Sequence, residues 1–237
     1  MNPNKFLTAE WRKLIMVNHA IDPGLLSSYI PSMTELDLWS DKCYLSLVGF
    51  MFLNTKVYGI KVPFHINFPE VNLWFYVRNS SEKENKRGVV FIREIVPKRV
   101  LALVANTFFN ERYITLPMKY HWSIDEDEIH ITYDWKAARW SRLEVIAAVQ
   151  PQAIKKDSAE EFITEHYWGY TPLKKNKTGA YYVAHSKWEV YPVSAYKVDC
   201  DFGNLYGSRF AVLTNQEPES VYLAEGSEIT VFNKTIM

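Results

Sequence analysis

Glycine and cysteine are scarce in this chain, with 9 glycines and 2 cysteines among 237 residues. Neither a Walker-type phosphate loop nor a GxGxxG string occurs, so no nucleotide cofactor is expected. The histidines form no HExxH pair and the cysteines form no CxxC pair, which argues against a structural zinc site. We therefore predict a protein without a bound cofactor or metal ion.

An excess of either charge is also missing. Lysine plus arginine and aspartate plus glutamate both number 27, so the formal net charge is zero. Such a chain has no basic field that would attract nucleic acid or an anionic membrane surface, and neither partner is expected. The same balance gives little electrostatic protection against self-association and is compatible with a homodimer.

Long apolar runs are absent as well. No 18 apolar residues follow one another, and the first residues do not resemble a signal peptide. We therefore predict a cytoplasmic protein in which Cys43 and Cys200 stay reduced. Aromatic residues, in contrast, are plentiful, with 8 Trp, 15 Tyr and 13 Phe. They suffice for a large core, and because no Pro/Gly/Ser-rich linker divides the chain, we predict one domain over residues 1–237.

Strand-like segments dominate the sequence. Segments 71–78 and 88–95 lie on either side of the charged string SSEKENKR, and 35–39 and 43–52 flank a short turn at 40–42, so each pair predicts a hairpin. Further strands are predicted at 14–21, 113–122, 128–135, 142–149, 181–184, 188–192, 210–213, 221–224 and 228–232. Since strands hardly alternate with helices, an antiparallel sheet curving toward a barrel is favoured over a parallel sheet.

A few helices are expected between the strands. Pro97 precedes apolar residues at helical spacing and predicts the main helix, which ends near Asn110. Ser158 and Glu161 have the spacing of a capping box and predict a short helix at 158–167. A short helix after Asp22 and a helical turn at 201–206 are also predicted.

The string REIVPKR at residues 93–99 joins a strand end to a helix start. In the first helical turn, the positive end of the helix dipole and the charge of Arg99 both disfavour an ammonium on Lys98. A neutral lysine amine is the group that attacks a ketone to form a Schiff base. Arg93 could orient a carboxylate, and Glu94 could transfer protons. The alternative interpretation is a solvated helix start with its charges outward.

A second cluster, EHYWGY at residues 165–170, places His166 and Tyr170 among aromatic residues. Such a group suits an apolar pocket with a few polar handles. Alternatively, His166 caps the helix and the aromatic side chains pack in the core. Glu70, which precedes a strongly apolar strand, is either an inward carboxylate or an edge charge.

Seven separated strings occur in order along the chain: FLTAEWRKLIMVNHAIDP, CYLSLVGFMFLNT, GIKVPFHINFPEVNLWFYVR, RGVVFIREIVPKRV, EEFITEHYWGY, KWEVYPV and YLAEGSEI. Together they resemble the YqjF-like family of unknown function in the acetoacetate decarboxylase-like superfamily. The match runs from about residue 6 to residue 232. The resemblance implies an α+β, mainly antiparallel β fold: a cone-shaped barrel with a few peripheral helices and an internal cavity.

The resemblance also implies roles for individual residues. Arg93, Glu94 and Lys98 match the arginine, the glutamate and the Schiff-base lysine of the decarboxylase active-site string. Arg99 replaces the second lysine, which lowers the pKa of the first. The spacer here is shorter and lacks the glycine of that string. Trp74 stands where relatives are expected to carry arginine, which would make the pocket less suited to an anionic substrate.

Three functions therefore stay open. The first is binding of a small organic molecule in the cavity, with Glu70, Trp74, His166 and Tyr170 as ligand-binding residues. The second is a cofactor-independent Schiff-base lyase or decarboxylase that acts on a β-keto acid through Lys98. The third is a protein-interaction module with an aromatic surface. A ligand-sized apolar cavity favours the first function, and a large aromatic patch without a cavity favours the third.

Overall fold

The protein's structure, a computed structural model, describes residues 4–80 and 86–237. These residues form sixteen strands, three α-helices and two 3₁₀ segments. No helix among them is long and apolar enough to cross a membrane. The strands are β1 Lys5–Ile21, β2 Thr34–Leu36, β3 Cys43–Val57, β4 Phe68–Asn79, β5 Arg87–Val96, β6 Tyr113–Thr115, β7 Met118–Ile124, β8 Glu128–Lys136, β9 Trp140–Ala148, β10 Gln152–Ala153, β11 Trp168–Leu173, β12 Lys177–His185, β13 Glu189–Tyr191, β14 Val193–Asp199, β15 Ser220–Phe232 and β16 Thr235–Ile236. The helices are α1 Arg99–Phe108, α2 Ala159–Thr164 and α3 Phe202–Tyr206, and the 3₁₀ segments are Pro23–Leu26 and Ser208–Asn215.

Seven strands close into a ring. They pair in the order β15, β1, β3, β4, β5, β11 and β12, and β12 pairs again with β15. Neighbours in the ring are antiparallel except for β5 and β11. A sheet that closes on itself removes its exposed edges and encloses an interior. The predicted α+β, mainly antiparallel barrel with a few helices is confirmed.

A four-stranded antiparallel sheet, in the order β14, β9, β8 and β7, packs against the outside of the ring. The two sheets share one hydrophobic core, in which Leu73 and Phe75 of β4 are buried with Tyr133 of β8. Gly49 of β3 permits this close approach, because a Cβ there would lie 2.9 Å from Cδ2 of Tyr133. The removal of this apolar surface from water is the main stabilising contribution.

Alternation along β4 separates two environments. Leu73 and Phe75 point outward into the shared core. Glu70, Asn72 and Trp74 point into the interior of the ring. Since side chains on a strand alternate between faces, polar residues two positions apart reach the interior together.

A bulge in β5 decides which side chains enter the interior. The register between β4 and β5 skips Ile92. Before the bulge Phe91 lines the interior, and after it Glu94 does. Strict alternation from Phe91 would have brought Arg93 inside. Arg93 instead donates a hydrogen bond to the backbone carbonyl of Leu205 in α3, on the outside of the ring.

Several local predictions are confirmed. β4 and β5 form the predicted hairpin, and part of its polar tip lies outside the described residues. α1 follows Pro97, a 3₁₀ segment follows Asp22, and α3 occupies the turn predicted at 201–206. The Oγ of Ser158 accepts a hydrogen bond from the backbone N–H of Glu161 and caps α2.

Three other local predictions are wrong. No hairpin surrounds the turn at 40–42, because β2 pairs with β4 instead of β3. The strand predicted at 113–122 is two strands in different sheets, β6 and β7, separated at Pro117, whose nitrogen cannot donate to a ladder. Residues 210–213 belong to a 3₁₀ segment, in which Phe210 and Leu213 are both buried in the shared core at a spacing of three residues.

Candidate functional site

The ring encloses a cavity of about 260 Å³. Val62 and Val100 belong to its lining and are exposed, so the cavity opens beside the N-terminal part of α1. Its walls are mostly apolar, and four of the eight tryptophans of the chain contribute to them. The aromatic residues in the lining are Phe6, Trp11, Phe50, Phe52, Phe68, Trp74, Phe91, Phe109, Tyr113, Trp168, Tyr181 and Trp188. A mostly apolar concave site with a few polar groups is typical of small-molecule binding.

The polar groups of the cavity gather where three neighbouring strands meet. Asn72 of β4 lies opposite Glu94 of β5, and Glu94 lies opposite Tyr113 of β6. Glu70 precedes Asn72 by two positions and shares its face. Glu111, just before β6, adds a third carboxyl to the lining. We call Glu70, Glu94 and Glu111 the carboxyl cluster.

Hydrogen bonds satisfy only part of this polar group. Glu70 Oε1 accepts hydrogen bonds from Asn72 Nδ2, at 2.8 Å, and from the hydroxyl of Tyr113, at 2.9 Å. Asn72 Oδ1, Glu94 Oε2 and Glu111 Oε1 are buried acceptors without a partner among the described residues. Each such acceptor costs about 1–3 kcal/mol. Unpaired groups of this kind call for an explanation, and a bound ligand is one.

The carboxyl cluster titrates far from the usual range of glutamate. Burial raises the pKa of Glu70 to about 7, although the hydrogen bonds from Asn72 and Tyr113 act in the opposite direction. Burial raises the pKa of Glu111 to about 7 as well, against a hydrogen bond with Tyr181. The pKa of Glu94 is also raised well above its usual range, through burial and the negative charges of Glu111 and Glu70. The cluster therefore retains protons near neutral pH.

His166 lies on another wall of the cavity and is held by an ion pair behind it. Its Nε2 lies 3.1 Å from Asp37 Oδ2, which also accepts a 2.6 Å hydrogen bond from Arg87 Nε. Burial raises the pKa of Asp37, but the hydrogen bonds from His166 and Arg87 outweigh it and the pKa is lowered. Burial lowers the pKa of His166 to about 4. His166 is therefore neutral at physiological pH.

The structure brings some of the predicted site residues together and separates the others. Glu94, Glu70, Trp74 and His166 line the cavity. Tyr170 does not, since it is buried in the core outside the ring, where its hydroxyl donates to the backbone carbonyl of Lys86.

The basic residues of the 93–99 string lie outside the lining. Lys98 is the N-cap residue of α1 and is half-buried, and Arg99 is exposed. Arg93 turns outward at the bulge. The structure therefore does not bring these three residues together with Glu94, and the roles predicted for them stay predictions.

Sequence reasoning missed Asn72, Glu111, Tyr113 and Tyr181. A signal for Asn72 was present, because Asn72 and Glu70 interrupt an otherwise apolar strand at a spacing of two residues. Glu111 gave no such signal, since a glutamate in a short connection reads as a solvated charge. Within residues 4–80 and 86–237, no group of His, Cys, Asp or Glu is arranged to hold a metal ion.

Solved structures share this fold at low sequence identity. The acetoacetate decarboxylase of Legionella pneumophila has a TM-score of 0.65 and 12% identity, and the match covers 98% of this chain and 87% of that one. The enduracididine biosynthesis enzyme MppR complexed with pyruvate has a TM-score of 0.70 and 10% identity over 100% of this chain and 91% of that one. An acetoacetate decarboxylase-like enzyme from Sphingomonas wittichii RW1 has a TM-score of 0.67 and 9% identity, covering 98% and 93%. At these identities the likeness shows the fold alone.

Sequence comparison finds nearer relatives. The uncharacterized protein YqjF of Bacillus subtilis (strain 168) is 29% identical over 185 residues, which are 75% of this chain and 72% of that protein. A family model of an uncharacterized conserved protein, DUF2071, matches residues 8–228. The predicted resemblance is confirmed: this chain belongs to the DUF2071 family and has the acetoacetate decarboxylase-like fold.

Proposed function

We propose that this protein binds a small, largely apolar organic molecule inside the ring. The observation that carries the proposal is the combination of an aromatic cavity with buried acceptors that none of the described residues pairs. Evolution retains such costs where they serve binding or catalysis. The volume of about 260 Å³ suits a ligand with one ring, because larger ligands occupy pockets of roughly 300–1,000 Å³.

The solved relatives support this proposal by analogy. MppR was solved with pyruvate, and the decarboxylases are named for a small keto acid. Small organic molecules are thus bound by proteins of this fold. A shared fold does not imply a shared ligand, so the proposal for this chain rests on its own cavity.

Tryptophan fluorescence and thermal unfolding, with benzyl alcohol and benzylamine as probes, test the proposal. We expect saturable fluorescence quenching, because four tryptophans line the cavity, and a rise in the melting temperature through binding linkage. Val104→Phe places a ring in the lining and should abolish both effects. Val212→Phe, the same substitution at an exposed position, is the control. A wild-type protein whose fluorescence and melting temperature ignore both probes would contradict the proposal.

A Schiff-base lyase acting through Lys98 is the second candidate, suggested by the family resemblance. The position of Lys98 at the start of α1 does not by itself favour it. Borohydride reduction in the presence of acetoacetate should leave a covalent adduct on Lys98 if this function is present, and an unlabelled Lys98 would exclude it.

The third candidate, an interaction module, has a weaker basis. Tyr58 and Phe108 are exposed, and both lie near Phe6 beside the cavity. Since a cavity accompanies these exposed rings, their position is compatible with a mouth through which an apolar ligand enters. We therefore favour binding inside the ring.

A further inference from the structure

We infer that the cavity selects an organic cation, a primary or secondary ammonium on an apolar ring-sized body, and rejects anions. The inference rests on the proposed function, because it names the class of ligand for the same cavity. Three features of the lining carry it: its charge, the type of its unpaired groups and its aromatic surface.

Apart from histidines, the side chains of the lining that can carry a charge near neutral pH are carboxyls. Glu70, Glu94 and Glu111 all face the cavity, and among the described residues no lysine or arginine belongs to its lining. Arg112 and Lys234 are close enough to Glu111 to lower its pKa, but they lie outside the lining. A carboxylate ligand would enter without a cationic partner and beside three acids, which is strongly unfavourable at low dielectric.

The unpaired groups of Asn72 and of the carboxyl cluster, once it is ionised, are acceptors, whereas the unpaired donors Trp11 Nε1 and Trp74 Nε1 belong to other side chains of the lining. Glu94 Oε2 and Asn72 Oδ1 belong to residues that are 2% exposed, and Glu111 Oε1 is buried although the residue as a whole is only half-buried. Three acceptors that converge on one end of a cavity match an ammonium group, which has up to three N–H donors and no acceptor. A hydroxyl would donate to one of them and leave the others unpaired.

The aromatic walls complete the match. Phe50 lies opposite Glu70 in the β3–β4 register, and Trp74 follows Asn72 on the same face. Aromatic faces attract cations as well as apolar groups, and tryptophan does so most strongly. A ligand with an apolar body and an ammonium head would therefore be favoured at both of its ends.

Binding of a cation must be coupled to the protons of the cluster. The titratable groups that face Glu94 are Glu70, Glu111, Tyr113 and Tyr181. Since the cluster holds protons near neutral pH, an entering ammonium displaces one. The protonated carboxyl loses its proton to the buffer, the resulting carboxylate pairs with the ammonium, and the complex has the same net charge as the free protein. Affinity should then rise with pH while the ligand stays protonated.

Isothermal titration calorimetry with benzylamine, benzyl alcohol and benzoate tests the inference, since the three probes differ mainly in charge. At pH 7.5 benzylamine should bind at least about 10-fold tighter than benzyl alcohol, as expected for a charge-assisted hydrogen bond, and benzoate should not bind. Between pH 6 and pH 8 the affinity for benzylamine should rise by up to about 10-fold per pH unit for one released proton. Its binding enthalpy should differ between phosphate and Tris buffers in proportion to that proton.

Variants of the cluster locate the effect. Glu94→Gln keeps the shape but cannot ionise, so it should weaken benzylamine binding at least about 10-fold and reduce the proton release that accompanies it. Glu228→Gln, on the exposed side of β15, is the matched control. The buffer comparison on the wild-type protein keeps the inference testable if Glu94→Gln does not fold.

The outcomes separate the inference from the proposed function. If benzyl alcohol or benzoate binds as tightly as benzylamine, or if no proton is released, the cavity binds small molecules but not cations, and only the inference fails. If none of the three probes binds, the proposed function fails as well. Selective binding of benzylamine with proton release and loss in Glu94→Gln would establish both.

Discussion

The two faces of the ring are built from the same strands and differ in almost every other respect. On β4 the outward Leu73 and Phe75 are fully buried in a core that the second sheet completes. The inward Glu70 and Asn72 border a cavity, and several acceptors there have no partner in the described part of the chain. Because alternate residues of one strand experience the same backbone, the difference arises from the side chains and what covers them. The outer face stabilises the fold, whereas the unpaired groups of the inner face lower stability and form the proposed binding site.

Removal of one aromatic side chain from each face should show the largest contrast in unfolding free energy. Phe75→Ala leaves a void in the close-packed outer core and should cost about 3–5 kcal/mol of unfolding free energy. Phe50→Ala enlarges a cavity that already exists and should cost about 1–2 kcal/mol less, since its ring has neighbours on fewer sides. Urea unfolding of both variants measures the difference. Equal losses would mean that the inner face is packed as tightly as the outer face.

A rise in pH from 5 to 8 should weaken the inner face selectively. The pKa of Glu111 is about 7 in the folded protein and 4.5 without the fold, so its stabilising effect is complete below pH 4.5 and is lost as pH rises through 7. The loss should approach about 3 kcal/mol by pH 8. Glu111→Gln should therefore fall less in stability between pH 5 and pH 8 in urea unfolding. Parallel profiles of this variant and the wild type would contradict the account, and Glu228→Gln should follow the wild type.

Acid pH should act on the outer face through one histidine. His19 is buried against the ring of Phe202, and neither ring nitrogen has a partner among the described residues. Burial lowers its pKa to about 4 from 6.5, so its neutral form contributes fully above pH 6.5 and the contribution is lost as pH falls toward 4. At pH 5 the loss is about 2 kcal/mol. His19→Leu should remove most of that loss, while exposed His121→Leu should not. If the loss of stability at acid pH is unchanged in His19→Leu, groups other than His19 cause it.

The smallest effect on stability and binding is expected on α1, beside the opening of the cavity. Leu103 is an exposed residue of α1 outside the cavity lining. Leu103→Ser should change the unfolding free energy by no more than about 0.5 kcal/mol, because little surface becomes newly exposed. Benzyl alcohol affinity should stay within about 2-fold. A larger change in either would show that this surface is covered in the working protein.

Local signals explain which parts of the fold were predictable. The charged tip between 79 and 87, the proline before α1 and the Ser158 cap each specify structure within a few residues. The pairing of β12 with β15, which closes the ring, joins segments distant in sequence and leaves no local pattern. The site is harder to predict from sequence than the fold. Glu70 and Glu94 were recognisable as candidates, but their proximity to Glu111 depends on the closure of the ring and on the bulge in β5.

Because Ile92 has no partner in the β4–β5 register, the length of β5 determines which charge the cavity presents to a ligand. One residue decides whether Glu94 or Arg93 enters the cavity, so a single insertion or deletion in this part of β5 would exchange an acidic wall for a basic one without altering either side chain. Proteins with this ring could thus diverge between cationic and anionic ligands through a change in strand length. A sequence alignment that ignores a one-residue gap in β5 would hide this divergence. The position of that gap would indicate whether a relative has an acidic or a basic cavity wall.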